Sequence, residues 1–257
     1  MCLIFLSINN HPNYKLIVAG NRDEFYNRKT AAANFWDDHP QILGGRDLEA
    51  GGTWLAMTKH GRIGMVTNYR DPMNINPHAP SRGHLVSDFL ITNESPGQYL
   101  HTVSEKGKKY NGFNLIAGVV DNLWYYSNYK EGIEKLSPGF YGLSNHLLET
   151  AWPKILRGKQ KIKPILKDAT VDPEALFEIL YDDQVASDEL LPSTGLPLVR
   201  ERALSSIFIK SEGYGSRCST VIMIDNNDNV FFAERVYDFS TFAHHTNTYQ
   251  FQLDPDL

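Results

Sequence analysis

Cysteine is nearly absent: Cys2 and Cys218 are the only two in 257 residues. Two thiols build neither a disulfide framework nor a Cys-rich zinc site, and their scarcity fits a reducing compartment, so the cytoplasm is the expected location. Excess positive charge is missing as well. Lys and Arg number 25 against 30 Asp and Glu, a net charge of -5, so the chain lacks the basic surplus that phosphate-backbone binding needs, and nucleic acid is not an expected partner. Long apolar runs are also lacking. The longest early one, Cys2 to Leu6, has no basic residues before it and meets Asn9, Asn10 and Pro12 at once. It is too short for a signal peptide or a membrane span and reads as a strand. The sequence contains no HExxH, CxxC, phosphate-binding glycine loop or GxSxG elbow, and Gly213-Tyr214-Gly215 lacks the third glycine of a dinucleotide site. The nine histidines are scattered, and His244 and His245 would face opposite sides of a strand. No metal and no cofactor is expected.

What is present is core-forming material: 42% hydrophobic, 12% aromatic and only 21% charged residues, which excludes a disordered chain and fits one domain over residues 1–257. Short strand-like runs closed by turn residues open the chain: Cys2 to Ile8, Tyr14 to Ala19, Thr53 to Lys59 and Arg62 to Thr67. They read as an antiparallel meander, with Gly44-Gly45 and Gly51-Gly52 as turns. From Ser81 the apolar spacing becomes helical, and Ser95-Pro96-Gly97 separates two helices. Strands return at Phe113 to Val120 and Leu123 to Asn128. A second helical block follows at Thr150 to Leu156 and, after Asp172-Pro173-Glu174, at Ala175 to Tyr181. Residues 182–216 read as a long, partly irregular excursion of the kind that borders sites. A hairpin, Ser219 to Ile224 and Val230 to Val236, comes last. Blocks of strands and helices in this order predict an α+β fold, with stacked antiparallel sheets and helices on their outer faces.

Four features bear on chemistry. Cys2 follows the initiator methionine, and a small second residue lets Met1 be removed. Cys2 would then carry both a nucleophile and a base, because the free α-amine, of pKa about 7.7–8.0, can take the thiol proton. Against this stands the ordinary role of a free cysteine as a small buried hydrophobe. Second, Asn21-Arg22-Asp23-Glu24 follows an apolar run. Strand alternation aims Asn21 and Asp23 one way and Arg22 and Glu24 the other, so all four serve one site only if the backbone bends. The plain alternative is a solvated strand end with a local ion pair. Third, Asn68 and Asn145 end apolar strands, where a fixed amide makes an oxyanion donor, or simply a turn. Fourth, Arg217 begins the last hairpin, placed to hold a carboxylate or cap the strand.

Cys2, Asn21-Arg22-Asp23-Glu24, Gly51-Gly52-Thr53-Trp54, Thr67-Asn68-Tyr69-Arg70 and Ser81-Arg82-Gly83 occur in an order that resembles the NRDE family, whose animal members are the transport-and-Golgi-organisation-2 proteins. The resemblance spans essentially the whole chain. It implies a four-layer αββα sandwich of the N-terminal nucleophile hydrolase type, and within that superfamily the pattern is similar to the cysteine enzymes that include bile salt hydrolases and penicillin V acylases. Their Gly-Arg-Asn-x-Asp differs from Gly20-Asn21-Arg22-Asp23-Glu24, so Asn21 falls at their arginine and Glu24 at their aspartate. The resemblance nominates Cys2, Arg22, Asp23, Asn68, Asn145 and Arg217 as catalytic, and Asn21, Glu24, Trp54 and Tyr69 as substrate-binding. The implied activity is hydrolysis or transfer at an amide or thioester of a small acylated molecule. The alternative is a non-catalytic carrier of acyl-coenzyme A, lipid or haem in the same cleft.

Overall fold

The computed structural model describes residues 2–254. In chain order it contains β1 (Cys2–Ile8), β2 (Tyr14–Phe25), β3 (Thr30–Phe35), β4 (Ile42–Asp47), β5 (Leu55–Thr58), β6 (Arg62–Asn68), α1 (His84–Ile91) and α2 (Pro96–Lys106). Then follow β7 (Phe113–Val119), β8 (Asn122–Ser127), β9 (Glu134–Lys135), β10 (Gly139–Leu143), α3 (Pro153–Ile165), α4 (Pro173–Leu180) and α5 (Leu198–Ala203). The chain closes with β11 (Lys210–Ser211), β12 (Tyr214–Asp225), β13 (Asn229–Tyr237) and β14 (His244–Gln252). Two antiparallel sheets result, one ordered β10-β1-β2-β12-β13-β14 with β11 beside β12, the other β3 through β9 in sequence.

The sheets stack face to face, with α3 and α4 outside the first and α1 and α2 outside the second. This is the αββα arrangement expected. Alternation along β1 and β2 shows why: Ile4, Leu6, Leu16 and Val18 enter the core between the sheets, while Leu3, Phe5, Ile17 and Ala19 meet α3 and α4. With both faces covered, β1 is buried along its whole length, hence its unbroken apolar run. Local signals start the helices. Ser95 and Gln98 form a reciprocal capping box at α2, and the Asp172 side chain accepts from the Glu174 amide at α4, with Pro173 in the first turn. Among the described residues, no helix is long and apolar enough to cross a membrane.

Several expectations need correction. The opening meander is divided between the sheets, β1 and β2 belonging to one and β3 to β6 to the other. Strand β2 does not stop at Ala19 but runs through the four-residue motif to Phe25. Gly44 and Gly45 are not turn residues. They lie in β4, where a β-carbon on Gly44 would sit 2.5 Å from that of Ala56, so glycine is there for close approach of backbones. Helix α3 extends to Ile165, well past Leu156, its buried Ile155, Gly158 and Ile162 hidden among lysines. A further strand, β14, lies at the sheet edge.

Gly158 brings α3 down onto Phe5: a β-carbon there would overlap the Phe5 ring. Since Phe5 is itself buried, Gly158→Ala is expected to cost about 1–3 kcal/mol through overpacking, outweighing the propensity gain of alanine in a helix. Thermal unfolding of the variant, with an unchanged or raised midpoint, would contradict this packing.

Candidate functional site

Between the sheets, where β1 begins and β2 ends, a cleft of about 440 Å³ opens, a size within the range of small-molecule pockets. Strand register builds its wall. Cys2 lies opposite Arg22 on β2, and Arg22 lies opposite Cys218 on β12, so three side chains stand in a row on the inner face. Arg22 donates to Thr30 Oγ1 at 2.9 Å and approaches Asp47 Oδ2 at 4.0 Å, both from the second sheet. Val236 on β13 extends the row, and Glu234, two residues away on the same strand face, also lines the cleft and accepts from the Ala33 amide at 2.6 Å. Burial pushes the Cys2 thiol up to about 11, and it also raises the Cys218 thiol and the Glu234 carboxyl.

The motif obeys strand alternation. Arg22 and Glu24 face the cleft, while Asn21 faces the helices, where its amide donates to the carbonyls of Leu180 (2.8 Å) and Ile207 (2.9 Å) and accepts from Ser219 Oγ. Asp23 borders the cleft, and its carboxylate accepts from Ser216 Oγ at 2.6 Å. Burial raises the Asp23 carboxyl, and Lys154 on α3 opposes that rise with its charge. Burial in turn brings Lys154 down to about 8. The motif is therefore not a solvated strand end: Asn21, Arg22 and Asp23 are all buried. The bulge that relaxes the register lies in the neighbouring strand, between Ser216 and Cys218. It carries Arg217 into the cleft wall, where its guanidinium donates to the Phe25 and Tyr26 carbonyls and lies 4.8 Å from the Phe239 ring centre.

Trp54 and Asn68 complete the nominated residues that line the cleft. Asn145 does not line it. It is fully buried and stitches strand ends together: its amide donates to the Asn68 carbonyl at 3.1 Å, and its own carbonyl accepts from the Arg70 amide. Ser144 Oγ bonds both Asn145 and the Cys2 carbonyl. Tyr69 points elsewhere, stacked on Tyr129 with centroids 3.9 Å apart and its hydroxyl bonded to His146. Thus Cys2, Arg22, Asp23, Glu24, Trp54, Asn68 and Arg217 come together, and Asn21, Tyr69 and Asn145 stay outside.

The sequence reading passed over other cleft residues. Arg82 lies in Ser81-Arg82-Gly83, a motif that assigns it no role, and Arg28 and Asp47 carry no local signal. Glu234 gave one: it occupies a core-facing position in the alternation Val230, Phe232, Glu234, where a carboxylate is out of place. Buried Lys154, behind Asp23, was masked by the other lysines of its helix. Among the described residues, no group of three His, Cys, Asp or Glu side chains is placed to hold a metal ion.

The family described as Transport and Golgi organisation 2 matches residues 1–238. Among curated proteins, the mouse Transport and Golgi organization 2 homolog is 38% identical over 98% of this chain and 99% of its own length. The human homolog is 36% identical over the same shares, and the Drosophila melanogaster protein 30% identical over 91% of each. Among solved structures, a Caenorhabditis elegans N-acylethanolamine-hydrolyzing acid amidase ortholog covers 86% of this chain and 92% of its own, at 11% identity and a TM-score of 0.49. A mutant conjugated bile acid hydrolase from Clostridium perfringens covers 100% and 99% at 9% identity, with a TM-score of 0.48.

Proposed function

The chain belongs to the Transport and Golgi organisation 2 family, and from that premise we propose that its cleft performs acyl transfer with Cys2 as nucleophile. The observation that carries this reading is the seat of Cys2: a thiol at the start of β1, on the wall of a cleft, one strand from Arg22 and beside Asp23. Once Met1 is removed, the Cys2 α-amine accepts the thiol proton. The sulfur then attacks the carbonyl of an amide or thioester, and the amine returns the proton to the leaving nitrogen or sulfur. Water or another acceptor afterwards takes the acyl group from the thioester. Asn68 donates to the oxyanion, Asn145 fixes Asn68 through its carbonyl, and Arg22 and Asp23 orient the amine.

A thiol pushed up to about 11 is a poor nucleophile near neutrality, so the amine is indispensable to this mechanism. Met1 itself lies outside the described residues. The same high thiol pKa favours a second reading for a chain that keeps Met1: the cleft binds and hands over an acylated, lipid or haem ligand without turnover.

Intact mass followed by alkylation separates the two. In protein retaining Met1, carbamidomethylation of Cys2 by iodoacetamide is expected to rise about tenfold per pH unit up to about pH 11, since only thiolate reacts and each unit below the pKa costs a factor of ten. In protein lacking Met1 the profile should gain a step near the amine pKa of about 7.7–8.0. Identical profiles for the two forms would remove the base from the mechanism and leave the binding reading.

A further inference from the structure

The cleft is lined by five arginines, 22, 28, 46, 82 and 217, from both sheets, the β2–β3 turn and the segment before α1. Two of them are neutralised locally. Arg46 is bidentate to Asp38, and Arg28 pairs with Asp47 at 2.7 Å. Among the described residues Arg82 and Arg217 hydrogen-bond only to carbonyls, of Gly112 and of Phe25 and Tyr26 respectively, with Arg217 also lying against the Phe239 ring. Among the described residues neither has a carboxylate within 4 Å. Arg22 has only Asp47, at 4.0 Å and already engaged by Arg28. The remaining carboxyls on the wall, Asp23, Glu24 and Glu234, do not balance them: Asp23 accepts from Ser216 Oγ and is opposed by the charge of Lys154 on α3. Glu24 is turned back to the Phe25 amide. Glu234 is spent on the Ala33 amide and is held toward its neutral form by burial.

From this imbalance we infer that the ligand of the cleft carries an anionic group, a carboxylate or a phosphate, held between Arg82 on one wall and Arg217 on the other, with its reacting carbonyl toward Cys2. The inference rests on the acyl-transfer reading for the role of the carbonyl, but the anion site stands on the charges alone. Guanidinium forks left without carboxylates and facing a cavity suit planar or tetrahedral oxyanions. Glu24 acts on both Arg82 and Arg217, and by the same proximity it repels the ligand's negative charge. It sets an upper limit on affinity that its removal should lift.

Three probes test this by calorimetry on Cys2→Ala protein, which cannot turn them over: N-octanoylglycine, octyl phosphate and the neutral N-octanoylglycinamide. At least one anionic probe is expected to bind about tenfold or more tightly than the neutral amide, with a preference that shrinks as salt is raised. Arg82→Gln should weaken that probe by about 10- to 100-fold, the usual worth of a charge-assisted hydrogen bond, and leave the amide unchanged. Glu24→Gln should tighten it. The stronger of the two anions identifies the group as carboxylate or phosphate. Equal affinity for all three probes, binding of none, or loss rather than gain with Glu24→Gln would overturn the inference. Parallel acylation of wild-type Cys2 by neutral p-nitrophenyl octanoate, read by intact mass, reports separately on the acyl-transfer reading.

Discussion

Replacing Cys2 with alanine in protein that has lost Met1 is expected to lower acyl turnover by about 10⁴-fold or more while leaving ligand affinity within a few-fold. Removing a nucleophile eliminates the covalent intermediate, and single losses of that kind cost factors of about 10⁴–10⁶ elsewhere. Affinity should hold because the cleft is walled mainly by other residues, among them Arg22, Trp54, Asn68 and Arg217. Cys2 is buried, but exchanging its thiol for hydrogen removes only one heavy atom, and Ser144 holds this strand end through the Cys2 main-chain carbonyl. The measurement is turnover of an acyl substrate beside calorimetric affinity on the same preparations. Undiminished turnover in the variant would refute a cysteine nucleophile, whereas absent turnover in both proteins with intact affinity would leave the carrier reading.

Glu201→Ala is expected to destabilise the fold by about 3–5 kcal/mol, the cost of breaking a buried ion pair at one end. Glu201 is 2% exposed and Arg70 8%, and their 2.6 Å contact pins the irregular segment carrying α5 against the strand end after Asn68. Glu201 also accepts from the Thr194 amide and hydroxyl. Arg70 already lacks partners for Nε and one terminal nitrogen among the described residues, so without Glu201 its charge would stand buried and uncompensated. Against a total stability of about 5–15 kcal/mol such a loss is severe. Urea unfolding gives the value, and a midpoint near that of the parent would mean the pair is relieved by water. The double variant Arg70→Met/Glu201→Leu should regain most of the loss, because it removes both charges together.

Much of the architecture is legible in the residues, for reasons that also mark where reading fails. Strand β1 announces itself because both its faces are buried, and α4 because Asp172 and Pro173 supply its cap and first turn. Strands β3 and β4 are rich in alanine and glycine, whose smallness serves close packing between backbones and resembles turn composition in one dimension. Edge strand β14 is polar and mostly exposed, so only its pairing with β13 reveals it. At the site, alternation along β2 correctly separates Asn21 from Arg22. Tyr69 follows Asn68 directly, yet leaves the cleft because the chain has left the strand and stacks it on Tyr129. Arg82 and Lys154 escape because nothing local distinguishes a cleft-facing arginine or a buried lysine from solvated ones. Their partners lie far away in sequence.

The alternating aim of residues 21–24 has a consequence for natural variation. Asn21 and Arg22 are neighbours in the chain but serve opposite layers, one tying β2 to the helices and the other facing the ligand space. Harm at adjacent codons therefore reaches the cell by different routes. A change at Asn21 strands two buried carbonyls and is expected to show as a shortage of protein, while under the acyl-transfer reading a change at Arg22 is expected to act on the cleft itself. On that reading, genetic surveys that pool the motif as one lesion would mix a quantity defect with a quality defect.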